Sequence, residues 1–559
     1  MVKEMASILS SNESLYVDSW LRRISDAAQT YALYGTGQIT QSILSLIADR
    51  QLQPPVFILD HAANVSDYCG HSVLAPTAEN VNAVDWVMLG SNTFHESTRT
   101  QLVECGTAEG KILDFSYIRR RERGSQQWEM NKELEEVLGM LHNIGRSYNR
   151  IACCGTNAGM MRVLEAAQLC GVRMPDCIIR HSASDAVCGV PVAVEVPQDV
   201  EAIWFYGDPH FVLQDRMALR AHVPEGADLL DLNDQRVRDT FRFDPLKTTR
   251  LPFLFNKILY LGTTLRCNLN CSYCCSPELR KKRNRAADLK PQDAARILDG
   301  LRGRVSYLTL VDYGEPLMQR ELEAIIGAGV NAGIPIVDTV TNGTLLTEER
   351  AHSLALAGLH HIHVSIDSLD PEYNRSVRGV DIDQVLQNTI NFSRYTGLGV
   401  CINTVVTERN LGILPELPLL RERIPSMFAM SLLPETPEAP EALARPRLLD
   451  REKLHEAIAL TRRNAERMGV YLDVPASLEA FNSRRGLRDC ARPWNYIYID
   501  YTGTMRPCNS SYDNRLLPSI NVLEHPEQIP ELFNSDVFTA SRARRLAGDL
   551  PEVCMHCML

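Results

Sequence analysis

The sequence predicts an α/β protein built around a parallel sheet or barrel of six strands, preceded by two smaller α/β lobes and followed by a cysteine-bearing unit. Three observations predict it. Between about Asn256 and Glu435, six short apolar runs alternate with helical patterns. Ahead of that stretch a strand–glycine–helix layout occurs twice. Seven of the 16 cysteines gather at two places, one just after the first of the six runs and one at the C-terminal end.

The first lobe opens at YALYGTGQITQSILSLI, a strand-like run, a glycine turn and a helical period, and continues to VFILD, which ends on Asp60. The second opens at RIACCGTNAGMMRVLEAAQLCGV, with CIIRH as its second strand. Gly35 and Gly155 lie 120 positions apart, Gly70 and Gly189 lie 119 apart, and Trp86 and Trp204 lie 118 apart. Landmarks at nearly constant offset point to duplication. Gly35-Thr36-Gly37 with Asp60 has the layout of a dinucleotide fold, in which amides at a helix N-terminus hold phosphate and the acid holds a ribose. Thr40 replaces the third glycine, and the second copy reads Gly155-Thr156-Asn157 with Arg180 in place of the acid. Both lobes are expected to be Rossmann-like. The glycines serve either a nucleotide or strand-to-helix packing alone.

Composition narrows the class. A chain of 559 residues is long enough for about three or four domains. Its 45% hydrophobic and 23% charged residues are those of a globular protein. A net charge of -11 argues against nucleic acid as the main partner, because only short basic runs occur (Arg119-Arg120-Arg121, Arg280 to Arg285). The N-terminus has no apolar h-region, and no apolar run has the roughly 18 residues a membrane-spanning helix needs. A cytoplasmic location without a membrane partner is expected, and there cysteines are thiols, metal ligands or redox groups.

The six strand candidates are KILYLGTT, YLTLVDYG, PIVDTVTNG, HIHVSIDS, GVCINTVVT and FAMSLLPE, with functional groups expected at their C-terminal ends. Directly after the first comes CNLNCSYCC, in which Cys267, Cys271 and Cys274 have C-x3-C-x2-C spacing. Three thiolates on a short loop can converge on one iron–sulfur cube and leave one iron without a protein ligand. Zinc competes, but a structural zinc site needs four closed ligands, and no fourth lies at matching spacing.

C-x3-C-x-aromatic-C after a first strand resembles the defining motif of the radical S-adenosylmethionine (SAM) superfamily, so the six strands are expected to form a partial (β/α)6 barrel. The resemblance implies a [4Fe–4S] cluster on Cys267, Cys271 and Cys274, and SAM as cofactor. Residue by residue it places Tyr273 against adenine and Gly314 and Glu315 of the GEP segment at the methionyl amino group. It also places Asn342, Ser365 and Asp367 at the SAM ribose and carboxylate. Tyr313 stands where the family has a further glycine.

In the last unit, DCARPWNYIYIDYTGTMRPC predicts an apolar hairpin between Cys490 and Cys508, turning near Thr502-Gly503, and Cys554 and Cys557 form a C-x2-C. Four thiolates suit either a second [4Fe–4S] cluster or a zinc ion. The pattern is similar to the SPASM/twitch extension, in the shorter twitch form with one auxiliary cluster, and resembles radical SAM dehydrogenases that oxidise an aminocyclitol alcohol. The other nine cysteines (69, 105, 153, 154, 170, 177, 188, 275, 401) show no ligand spacing, and most are expected in or near the core. Cys401 has a second reading, as a catalytic hydrogen donor should it face the barrel interior.

The expected units are 1–135 and 136–249 for the two lobes, 250–440 for the barrel and 441–559 for the auxiliary cluster domain. The resemblance implies an enzyme, a radical SAM oxidoreductase or epimerase. Its 5′-deoxyadenosyl radical would abstract hydrogen from a sugar, aminocyclitol or nucleoside, with or without a nucleotide handle, and flavodoxin or ferredoxin would donate electrons. A peptide-modifying enzyme is the alternative, and a non-catalytic electron carrier a more distant one.

Overall fold

The computed structural model describes residues 17–549, apart from 19, 23, 26, 37, 61–64, 90–94, 109–111, 114–115, 156–157, 180–185, 208–211, 213–218, 220–221, 253, 275–287, 435–449, 475–489 and 509–518. Gly37, Thr156, Asn157, Arg180, Cys275, Cys554 and Cys557 therefore lie outside the described residues.

The two N-terminal lobes share one topology. In the first, the sheet runs Asp67–Tyr68, His71–Leu74, Ile58–Leu59, Tyr31–Tyr34, Trp86–Leu89, Ile112–Leu113. In the second it runs Ala186–Val187, Val190–Ala193, Cys177–Ile179, Ile151–Cys154, Ala202–Phe205, Asp228–Asp231, the same order of sequential strands. Even the small hairpins match. Cys69-Gly70 and Cys188-Gly189 each have positive φ at both positions, the geometry of a two-residue turn that favours glycine. The tryptophans do not correspond. Trp86 pairs with Tyr31 at the start of its central strand, whereas Trp204 pairs with Cys153, two positions further along.

The third unit holds all six expected barrel strands, Lys257–Leu261, Val305–Leu310, Ile336–Thr341, His361–Ser365, Gly399–Val406 and Met427–Pro434, paired in parallel and in sequence order. Their apolar outer face packs under the crossover helices. An added Cβ at Gly329, on the helix Leu322–Asn331, would lie 2.8 Å from Leu308 and 3.4 Å from Val337. The opposite face, carrying Tyr260, Tyr307, Asp338, His361, His363, Cys401 and Asn403, is therefore the inner wall of the partial barrel.

Two features were not legible in the pattern. The C-terminal hairpin, Tyr496–Ile499 and Thr504–Arg506, does not stand apart: its first strand pairs in parallel with the first barrel strand, Ile258 opposite Tyr496, and extends the sheet. Also, one helix of 32 residues, Ser116–Ser147, leaves the first lobe, crosses the N-terminal ends of the barrel strands and enters the second lobe. The expected boundary at 135/136 falls within it. Trp128 meets Tyr307 edge-on at 5.6 Å, and Lys257, only 2% exposed, is paired with Glu135 at 2.7 Å. An added Cβ at Gly124 would lie 2.0 Å from the Pro335 carbonyl oxygen, so only glycine permits this approach.

The linker between the second lobe and the barrel is clamped by the C-terminal unit. Arg542, fully buried, donates to the carbonyls of Pro493, Thr249 and Phe533, and Trp494 Nε1 donates to Thr248 O at 2.7 Å. Among the described residues no helix is long and apolar enough to cross a membrane. Of the described unclustered cysteines, 153, 154, 170, 177 and 401 are buried and 105 and 188 half-buried, as expected, but Cys69 is exposed because it forms a hairpin turn.

Candidate active site

The site is built where the strands end. The first strand stops at Leu261, and the following loop carries Cys267, Cys271 and Cys274, all half-buried. Its backbone is gripped by the end of the second strand: Glu315 N–H donates to Arg266 O at 2.7 Å. Gly314 lies so close that an added Cβ would be 2.2 Å from Thr264 O and 2.8 Å from Arg266 O. Gly314 is thus required by backbone contact, and Tyr313 at the preceding position does not prevent it.

Glu315 is 3% exposed and bonded at both oxygens. Oε1 accepts from Leu317 N (3.0 Å) and Thr341 Oγ1 (2.7 Å), and Oε2 accepts from Asn342 N (2.8 Å). Burial nevertheless pushes its pKa above the ordinary carboxylate value. Asn342, at the end of the third strand, donates to Asn268 Oδ1 at 2.9 Å, which ties it to the cysteine loop, and accepts from Thr344. Ser365 ends the fourth strand, half-buried, opposite Asn403.

Two residues beyond, Asp367 is fully buried. Its Oδ2 accepts from Tyr273 Oη at 2.6 Å and Arg378 Nη1 at 3.2 Å, and its Oδ1 from Val405 N at 2.8 Å. Arg378 was not singled out in the sequence, yet it is 5% exposed, and its carbonyl oxygen lies 4.0 Å from the Cys271 thiol. Burial pushes that thiol up to about 11, against the opposing pull of the Arg378 cation. Three thiols, a buried cation and, among the described residues, no fourth ligand at matching spacing form a donor set that fits a cluster with one open iron.

Lower in the barrel the inner wall carries a second polar group. Tyr307 Oη donates to Asp338 Oδ2 at 2.6 Å, and His361 Nε2 and His363 Nε2 lie 3.0 and 3.1 Å from the same oxygen. Burial disfavours charge on Asp338, but the two imidazoles outweigh it and hold the carboxyl well below its usual range. Cys401 belongs to this face: it is buried in register with His363, and its Sγ lies 3.7 Å from Asn403 Oδ1 and 3.8 Å from Ser431 Oγ. Its thiol therefore faces the barrel interior. The histidines were missed in the sequence, although H-I-H within an apolar strand was a signal, since residues two apart share a face.

In the C-terminal unit, Cys490 and Cys508 are both described, the second buried at the end of the hairpin. Cys490 lines a cavity of about 450 Å³ with Asp244, Trp494, Arg545 and Gly548. Cys554 and Cys557 lie outside the described residues, so of the four expected ligands the structure places Cys490 and Cys508, with room beside the Cys490 thiol. A larger cavity of about 960 Å³, lined by Trp20, Trp86, His352 and Tyr395, lies between the first lobe and the barrel helices, away from all of these cysteines. In the first lobe, Asp60 Oδ2 accepts from Thr36 N (2.9 Å) and Thr36 Oγ1 (2.6 Å), so the acid at the strand end closes the glycine loop.

Comparison with known proteins falls on the same two regions. Residues 261–409 match the radical SAM superfamily, and residues 490–558 match the SPASM iron–sulfur cluster-binding domain. The chain is 27% identical to the PqqA peptide cyclase of Streptomyces rochei over 316 residues, 54% of this chain and 80% of that protein. It is 25% identical to a probable GTP 3′,8-cyclase of Methanococcus vannielii over 281 residues, 49% of this chain and 91% of that protein. Among solved structures, Streptococcus suis SuiB bound to S-adenosylmethionine aligns with 17% identity and a TM-score of 0.45, covering 60% of this chain and 74% of that one. The cysteine loop at the open end of a partial barrel and the hairpin that extends its sheet therefore belong to a radical SAM domain followed by a SPASM domain.

Proposed function

We propose that this radical SAM enzyme acts on a small hydroxylated molecule, a sugar, aminocyclitol or nucleoside, by dehydrogenation or epimerisation. The observation that carries the reading is the inner wall, where Cys401, His363 and Asp338 present a thiol and a histidine–carboxylate pair to the lumen. Such a wall suits hydroxyl groups, which need buried polar partners.

Cys267, Cys271 and Cys274 would hold the catalytic cluster, and Cys490, Cys508, Cys554 and Cys557 the auxiliary one. Bound together, the catalytic cluster and SAM would supply hydrogen-abstraction chemistry through a 5′-deoxyadenosyl radical. Glu315 and the Gly314 backbone would receive the SAM ammonium, while Asn342 and Ser365 would face its ribose and carboxylate. Asp367, expected beside them, is fully buried and would act instead by fixing the ring of Tyr273, which would flank adenine. The helix Ser116–Ser147 closes the far end of the lumen, which helps exclude water. Cys401 would return a hydrogen atom in an epimerisation, its thiyl radical then being reduced through the auxiliary cluster, whereas in a dehydrogenation the substrate radical would lose a proton to solvent and an electron to the auxiliary cluster. The two N-terminal lobes would hold the substrate, a nucleotide handle or a partner.

The PqqA peptide cyclase relative favours a second reading, in which the substrate is a peptide. Reconstituted enzyme given dithionite, SAM and a panel of sugars, aminocyclitols and nucleosides in D2O tests the first. Expected is 5′-deoxyadenosine formed in proportion to product, with Cys271→Ala forming none. Deuterium retained at one carbon, and lost in Cys401→Ala, marks epimerisation; a ketone without deuterium marks dehydrogenation. Substrate-coupled 5′-deoxyadenosine with peptides alone overturns the small-molecule reading.

A further inference from the structure

We propose that Asp338, His361 and His363 form a mononuclear site for a divalent transition-metal ion, separate from both iron–sulfur clusters. Among the described residues, these three supply the one set of His, Cys, Asp or Glu ligand atoms that all lie within 4.8 Å of one another. Two imidazoles and a carboxylate make a borderline donor set, suited to Zn2+, Fe2+ or Mn2+ rather than to Ca2+ or Mg2+.

The geometry fits one ion. Ligands about 2.1 Å from a metal stand about 3 Å apart when at right angles, as in octahedral coordination, and about 3.4 Å apart when tetrahedral. Both imidazole Nε2 atoms lie at the shorter separation from Asp338 Oδ2, 3.0 Å for His361 and 3.1 Å for His363. The outer partners are also in place. His363 Nδ1 is 3.1 Å from Asn403 Oδ1, an arrangement that fixes the ring and leaves Nε2 as the ligand atom. Tyr307 Oη lies 2.6 Å from Asp338 Oδ2 and 2.9 Å from His361 Nε2, in position as a further donor.

A second observation points to a ligand independently. Asp338 is 1% exposed, and its other oxygen, Oδ1, is buried without a hydrogen-bond partner. A buried orphan carboxylate oxygen is costly, and a metal accepting the carboxylate through both oxygens would satisfy it.

The site's position gives it a use. Asp338 is the third residue of its strand, so the cysteine loops at the strand ends lie at least three residues, or about 10 Å, above it. An ion there would meet a substrate from the side opposite the cluster. It would polarise a carbonyl or lower the pKa of a bound hydroxyl, acting as a Lewis acid without changing oxidation state.

Metal retention, measured without SAM or substrate, tests this independently of the function proposed above. Protein loaded with both clusters is incubated with excess Zn2+, desalted and analysed for zinc, iron and sulfide. Wild type should keep about one zinc per chain. Asp338→Asn and His361→Gln should each lose it, while iron and sulfide stay as in wild type, which shows that fold and clusters are intact. Cys401→Ala should keep the zinc. If the Asp338 variant does not load clusters, His363→Gln and zinc-dependent thermal stabilisation of wild type give the same reading. Wild type that retains no zinc, or zinc retained equally by every variant, overturns the proposal and leaves a proton-held Tyr–His–Asp network.

Discussion

Tyr273 Oη donates to Asp367 Oδ2 over 2.6 Å, which joins the residue before the third loop cysteine to the chain just beyond the fourth barrel strand. The same carboxylate pairs with the buried Arg378, whose carbonyl in turn lies against the Cys271 thiol. The cysteine loop is thereby fastened to a side of the barrel more than 90 residues away in sequence.

Removing one member should cost according to what is left buried. Asp367→Ala strands the Arg378 cation and should destabilise the protein by about 3–5 kcal/mol. Tyr273→Phe removes one charge-assisted hydrogen bond and should cost about 1.5–3 kcal/mol. Thermal unfolding of the cluster-loaded variants gives the order, and an Asp367→Ala protein as stable as Tyr273→Phe would show that the pair is not what holds Arg378.

SAM affinity should depend on pH through Glu315. Burial raises its pKa, so on acidification it takes up a proton before an ordinary glutamate would. Protonation removes the negative charge proposed to meet the SAM ammonium, so affinity should fall as pH falls through that raised value. Equilibrium dialysis with labelled SAM from pH 8 downward should show the fall starting above the ordinary range. Glu315→Gln should bind weakly and without that slope. A wild-type affinity with the same pH dependence as Glu315→Gln would remove Glu315 from this role.

The N-terminal half should be coupled to the barrel through Lys257 and Glu135. Glu135→Ala leaves an ammonium that is 2% exposed without its partner, and should cost about 2–4 kcal/mol, the lower end reflecting that Glu135 itself is partly exposed. Changing both, as Glu135→Leu with Lys257→Met, should restore most of the loss. Denaturant unfolding of the single and double variants checks this, and a double variant no more stable than the single would rule out a stranded charge as the cause.

What the sequence determined by itself was local. Spacing of three cysteines within eight residues, the strands that deliver Glu315 and Asn342 at their ends, and the repeated strand–glycine–helix layout all follow from neighbours along the chain, where side-chain periodicity and turn chemistry act. The duplication was legible in Gly35 and Gly155 but misleading in Trp86 and Trp204, because the apolar runs they belong to can slip by two positions and still bury the same face.

Only the tertiary structure decided which distant residues meet. Asp338, His361 and His363 come from two strands and become one site because parallel pairing sets Asp338 beside His361. Arg378 is an unremarkable arginine in sequence, and becomes a buried cation because its helix packs against the cysteine loop. Ser116–Ser147 crosses from one lobe to the other beneath the barrel, and Tyr496 extends the barrel sheet. These contacts lie outside the reach of periodicity for one physical reason. A residue's hydrophobic pattern tells whether it is buried, whereas its partner is set by how separately formed layers pack, and that depends on the whole core at once.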